Sequence, residues 1–231
     1  MKGLDELLAY VRATYAPIGI VVAGSIVRGE GGPTSDLDVC VIHEAPWRQR
    51  EQRRFAGVPA ELFVNPPSTF RKYFASEHAA GRPSTADMFA TGIPVEPVHP
   101  TVAELVAEAR EWMARPLDIS EAALASLRYA AVDFLDDARD VVDTDPAAAA
   151  LLLGNAVRQI VACAFWSRRM FQPRRKRAVQ ALEAIDAEAA ALVRAWSTRS
   201  GRDALATVEA LARHVLGVDT FFEWTSDRDL R

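Results

Sequence analysis

The chain opens with Leu4, Leu7, Leu8 and Val11 at three- and four-residue spacing, the apolar face of an amphipathic helix. The period then breaks. "IGIVVAG" (18–24) is a short continuous apolar run closed by glycine, the pattern of a buried strand. "DLDVCVI" (36–42) and "VPAELFV" (58–64) predict two more strands, and residues 25–30 are expected to begin a short helix after the first. The spacing predicts helices over 67–79 and 84–91, the second capped by Ser84. Between the last two strands, "WRQREQRRF" (47–55) carries no apolar pattern and reads as an exposed linker whose basic and aromatic residues could touch nucleic acid.

Past residue 100 the helical period dominates. Thr101 with Glu104, and Asp118 with Glu121, have capping-box or near-capping-box spacing ahead of apolar periodicity. Asp145-Pro146 is a cap followed by a first-turn proline, starting a helix expected to run to about residue 170. Pro173 precedes another helix through Ile185, and helices are predicted over 120–142, 187–197 and 202–216. Pro94, Pro97 and Pro100 disfavour continuous helix and mark a boundary. The expected organisation is an α/β (α+β) domain over 1–99 followed by an all-α helical bundle over 100–231.

Composition narrows the function classes. Half of the 231 residues are apolar and the net charge is −4, an ordinary globular balance that argues against a general nucleic-acid partner. Cys40 and Cys163 lie inside apolar runs without metal-type spacing, which suits buried thiols in a reducing compartment. The N-terminus has acidic residues where a signal peptide needs an apolar core. No apolar run reaches the roughly 18–20 residues expected of a membrane helix. A cytoplasmic protein without membrane partner is the expectation; a homodimer is compatible with the sequence but does not follow from it.

The chemistry concentrates in "GSIVRGEGGPTSDLDV" (24–39). Residues i and i+2 of a strand share a face, so Asp36 and Asp38 project together while Leu37, Val39 and Val41 face a core. Two neighbouring carboxylates repel unless a cation lies between them, and Mg²⁺ takes such oxygen ligands together with phosphate oxygens. Gly24 and Ser25 are small enough for backbone N–H groups and a hydroxyl to approach phosphate, and a helix N-terminus there would favour the negative charge. Glu30 stands where a P-loop requires lysine, so that motif is excluded. Glu61, the sole charge in an apolar strand, is the natural third carboxylate of a two-metal site; an edge-strand charge facing solvent is the plainer alternative.

Gly24, Ser25, Arg28, Gly29, Pro33, Ser35, Asp36 and Asp38 together resemble the signature of the DNA polymerase β-like nucleotidyltransferase superfamily. The resemblance implies a nucleotidyltransferase fold on a mixed sheet, with Asp36, Asp38 and Glu61 as catalytic metal ligands. It implies Gly24, Ser25 and Ser35 as triphosphate ligands, and transfer of a nucleoside monophosphate to a hydroxyl with release of pyrophosphate. More loosely, "ELFVNPPSTF", "GRPSTADMFATG" and "LRYAAVDFLDDARD" are similar to aminoglycoside-type nucleotidyltransferases, whose helical C-terminal domain helps form the acceptor site.

Further candidates are weaker. Arg28 is either a phosphate or carboxylate contact or an exposed arginine. Asp133, Asp136, Asp137 and Asp140 lie at i, i+3, i+4 and i+7 and form either an acidic wall for a cationic acceptor or a solvated face balanced by Arg128 and Arg139. Cations of "PRRKRAVQAL" in the first turn of a helix oppose its dipole, and Lys176 fits a nucleotide-contacting lysine of the resembled enzymes. The reading is a Mg²⁺-dependent adenylyltransferase-like enzyme (EC 2.7.7 type) using two ions and ATP or another nucleoside triphosphate. Its acceptor would be small and hydroxyl-bearing, with Glu61 or Asp133 as the base. The rivals are a protein-AMPylating minimal nucleotidyltransferase of toxin–antitoxin type, a non-catalytic nucleotide-binding module and, disfavoured by the acidic charge, a tRNA-directed transferase.

Overall fold

The computed structural model describes residues 3–226 and 228. The chain forms two compact units that divide between Pro116 and Leu117. The break inferred from the prolines at 99/100 falls earlier, because the helix Pro100–Ala114 packs on helices of the first unit.

The first unit is a mixed five-stranded sheet with helices on both faces. Its elements are α1 (Leu4–Tyr15), β1 (Gly19–Ala23), β2 (Leu37–Ile42), β3 (Gln49–Phe55), β4 (Val58–Asn65), α2 (Pro67–Ala79), α3 (Ser84–Thr91), β5 (Ile93–Pro94) and α4 (Pro100–Ala114). The strand order is β3-β4-β2-β1-β5. β2 and β4 run parallel at the centre, while β1, β3 and β5 each pair antiparallel. Leu7, Val11 and Tyr15 of α1, spaced by four residues, cover one face together with Leu37, Val39, Val41 and Leu62. On the other face Cys40 and Ile42 pack with Phe70, Phe74 and Phe89 of α2 and α3 and with Leu105 of α4. Each strand of this core is thus buried on both sides, which explains its nearly continuous apolar run.

Residues 49–55, expected as an exposed linker, are the edge strand β3. An edge strand touches the core weakly, and charged residues there discourage pairing with other chains. Alternation nevertheless sorts its side chains. Glu51 accepts hydrogen bonds from the Tyr10 and Tyr15 hydroxyls on the α1 face, while Arg50 and Gln52 point to the opposite face. Ala56 and Gly57, both with positive φ, form the two-residue turn into β4.

The second unit is all helical: α5 (Glu121–Val141), α6 (Pro146–Trp166), a 3₁₀ turn (Arg175–Arg177), α7 (Ala178–Ile185), α8 (Ala187–Trp196) and α9 (Gly201–Leu216). Its core joins Ala131, Leu135 and Ala138 of α5, Leu153, Ala156 and Ile160 of α6, and Val208 and Leu211 of α9. By length and composition α6 could cross a membrane, contrary to the expectation that no such segment exists. Half of its apolar window is buried inside the unit, where it packs between α5 and α9, and a core helix needs the same composition.

Asp145 caps α6 as expected, accepting from the Ala148 amide at 3.0 Å. Other caps differ by a residue or two. His99, not Thr101, caps α4 through Nδ1, and Ser120, not Asp118, caps α5 through Oγ. Ser84 is the first residue of α3 rather than its cap. The helix expected to run to about residue 170 ends at Trp166, beyond which Arg169 adopts positive φ.

Candidate active site

β1 ends at Ala23, and the chain reverses through Gly24 to return as β2. Gly24 has φ +95°, and a Cβ there would lie 2.8 Å from Asp38 Oδ2 and 3.3 Å from the Asp36 carbonyl oxygen. Glycine is thus required both by the turn and by the proximity of the carboxylate. Residues 25–29, expected to begin a helix, form a hydrogen-bonded turn instead, held by Glu30 N donating to Ser25 O at 2.8 Å. No helix N-terminus stands there. What remains for an anion is the turn's own backbone and the Ser25 hydroxyl. Ser25 Oγ donates to Ser35 Oγ at 2.9 Å, and Ser35 Oγ also accepts from the Gly32 amide at 2.8 Å, tying the glycine-rich loop to the start of β2.

Asp38 is aligned with Ala23 on one side and with Glu61 on the other. Asp36 directly precedes β2. One carboxylate oxygen from each of Asp36, Asp38 and Glu61 lies within 4.8 Å of the others. Burial pushes the Asp38 carboxyl up to about 6, with the charges of Asp36 and Glu61 adding to it, while Arg28 and Arg50 oppose the shift. Three hard oxygen donors at such separation, one of them reluctant to ionise without a counter-charge, fit a divalent cation of the Mg²⁺ type.

Glu61 is buried and already has one counter-charge. Arg50 Nε donates to Glu61 Oε1, and Gln52 Nε2 donates to the same oxygen at 3.3 Å. These partners come from β3, the segment read as a linker. The one signal the sequence offered was the Ala-Gly turn between this stretch and β4. Beside Glu61 opens a cavity of about 560 Å³, lined by Arg48, Arg50, Phe63, Asn65, Tyr73 and Met88 among others.

The remaining candidates sit elsewhere. Arg28 pairs with Glu30 at 3.2 Å within the turn and is close enough to Asp38 to lower its pKa. Lys176 is exposed in the 3₁₀ turn of the second unit. On α5, Asp133 and Asp137 are exposed, while Asp136 is engaged by Arg139, which also binds Glu209.

Comparison with known proteins bears on the first unit most directly. Residues 4–69 match the family model described as a nucleotidyltransferase domain. No curated protein matches the chain. Among the solved structures that match is a nucleotidyltransferase-like protein from Exiguobacterium sibiricum, with a TM-score of 0.53 at 10% identity over 93% of this chain and 73% of that one. At that identity the likeness concerns the fold. The matched segment spans α1, both strands of the Gly24 turn and the strand of Glu61, and within it the N-terminal unit carries a nucleotidyltransferase domain of the polymerase β-like kind, a domain whose general chemistry is nucleotidyl transfer.

Proposed function

We propose that the protein is a Mg²⁺-dependent nucleotidyltransferase that transfers AMP from ATP to a hydroxyl of a small molecule. The observation that carries this reading is the convergence of Asp36, Asp38 and Glu61 beside the Gly24-Ser25 turn. Two ions bound there would neutralise the triphosphate and lower the pKa of the acceptor hydroxyl. Asp36 and Asp38 would hold ions, with Glu61 as the third ligand on the side of the cavity. The Gly24-Ser25 backbone would hold phosphate oxygens, joined by the Ser25 hydroxyl once its single proton turns from Ser35 Oγ to the phosphate. Arg28 lies close enough to Asp38 to counter negative charge at the turn. Positioning and charge stabilisation then carry the rate enhancement.

The resemblance of the helical unit to aminoglycoside-type enzymes motivates an alternative, in which that unit binds a cationic acceptor. A cationic acceptor would rely there on Asp133 and Asp137, since Asp136 is committed to Arg139. Glu61 turned away from the aspartates would have favoured a non-catalytic nucleotide module; its place beside them supports the catalytic reading. Two buried free cysteines suit a cytoplasmic location. The test is incubation of wild type and Asp38→Ala with labelled ATP or GTP, Mg²⁺ and a panel of hydroxyl acceptors that includes aminoglycosides. Labelled product with wild type alone is expected. A folded protein that binds no metal-nucleotide would remove the proposal.

A further inference from the structure

The cavity next to Glu61 has a charge that the acidic helix does not foreshadow. Its lining carries two arginines, Arg48 and Arg50, against one carboxylate, Glu77. Glu77 is spent: both its oxygens accept from Thr85, from the backbone amide at 2.6 Å and from Oγ1 at 2.8 Å. Arg48 is oriented by a hydrogen bond to the Tyr73 hydroxyl, and Arg50 lies over the Phe63 ring at 5.1 Å. With Glu77 turned to Thr85, the charged groups the wall offers a ligand are the two guanidinium groups, with aromatic and thioether surface beside them. Its volume is that of a pocket for a small ligand.

Arg50 links this cavity to the carboxylates. Its guanidinium takes Oε1 of Glu61, one of the three carboxylates that a divalent ion would use. An ion there repels the guanidinium and weakens its hold on this carboxylate, which favours Arg50 turned into the cavity it already lines.

We infer that this cavity holds the acceptor, and that the acceptor carries an anionic group, phosphate or carboxylate, which Arg48 and the metal-released Arg50 clamp while its hydroxyl faces Glu61. The inference rests on the nucleotidyltransferase reading and adds the acceptor's chemical class. A fork of two guanidinium groups suits a phosphate or carboxylate and repels a polyamine. Metal and acceptor then bind with positive coupling, because the ion frees the acceptor's own ligand.

Two measurements test it on the full chain. Calorimetric titration with Mn²⁺ alone should show Arg50→Gln binding the metal several-fold more tightly than wild type; equal or weaker binding overturns the release of Arg50. Saturation-transfer NMR, with Mg²⁺ and a non-hydrolysable ATP analogue at saturation, then compares phenyl phosphate, benzoate, benzyl alcohol and spermidine. Phenyl phosphate or benzoate should bind, and the stronger of the two names the anionic group. Arg48→Gln and Arg50→Gln, both surface changes, should each weaken that binding tenfold or more. Equal binding of benzyl alcohol, preference for spermidine, or weakening of the ATP analogue in place of the aromatic anion would overturn the inference. If the analogue binds and neither anion does, the inference alone fails. If neither Mn²⁺ nor the analogue binds to folded protein, the nucleotidyltransferase reading fails and the inference with it.

Discussion

Asp38 of β2 and Glu61 of β4 are register partners across a parallel strand pair, so their carboxylates leave the same face of the sheet side by side. Folding alone gains nothing from this. The apolar neighbours Leu37, Val39 and Leu62 hold both strands in place, and the charges are carried by that framework. With no metal bound, the arrangement is a standing electrostatic cost, relieved in part by Arg50.

That cost has a pH signature. The Asp38 carboxyl, ordinarily at 3.8, titrates at about 6 in the folded protein because of burial and then Asp36 and Glu61. Between those values the folded state binds the proton more tightly than the unfolded state, so stability falls as pH rises through this window and stays lower above it. Asp38→Asn removes the penalty. In EDTA at pH 7.5 the variant should melt above wild type, and the gain should shrink as pH is lowered towards 4. Thermal melts across that range check this, and a variant that melts below wild type at pH 7.5 would contradict it.

Divalent metal should narrow the gap. An ion that binds only the folded state stabilises it by about 1.4 kcal/mol at tenfold its dissociation constant. Mg²⁺ should therefore raise the melting temperature of wild type at pH 7.5 and leave Asp36→Asn and Asp38→Asn nearly unmoved. The effect should weaken below pH 6, where a proton competes for Asp38. Melts with and without Mg²⁺ at pH 7.5 and pH 5 measure both expectations.

Gly24→Ala tests the turn. An alanine at φ +95° is strained, and its Cβ would lie 2.8 Å from Asp38 Oδ2. The backbone strain costs on the order of 1–2 kcal/mol, and relief of the contact displaces the carboxylate. The variant should lose stability by about that amount and lose metal binding as well. Gly29, also at positive φ but with open space where a Cβ would sit, offers the contrast: Gly29→Ala should cost stability and leave metal affinity unchanged.

How far the sequence reveals this protein depends on how much of each element touches a core. Helices α2 and α3 match their expected bounds, since their aromatic positions recur on one buried face. The central strands were legible as apolar runs, and Glu61 stood out because a charge interrupts one of them. Strand β3 was not legible: only Phe55 of its seven residues is buried, so no apolar alternation marks it, and with it Arg50 and Gln52 went unseen. Caps slipped because the residue that leaves helical geometry is set by the preceding loop, as at His99 and Ser120, and not by capping-box spacing alone. Arg139 was legible as a balance to the acidic face, but its other partners were not, because Glu209 and Asp219 are brought to it only by the packing of the helical unit.

The aspartates of α5 can therefore be separated by experiment. Arg139 binds Asp136, Glu209 at 2.8 Å and the Asp219 carbonyl at 2.6 Å, joining α5 to α9 and the segment after it. Asp136→Asn should lower stability by about 0.5–1 kcal/mol, the scale of a partly exposed ion pair. Arg139→Ala should cost more, since it releases three partners at once. Asp133 and Asp137 are exposed like charges four residues apart, so Asp133→Asn and Asp137→Asn should change stability by less than about 0.5 kcal/mol, towards gain if anything. Denaturant titrations of the four variants give these values. A drop in transferase activity in Asp133→Asn or Asp137→Asn at unchanged stability would then report acceptor binding by α5. The same drop in Asp136→Asn, accompanied by lowered stability, would report the packing of the helical unit.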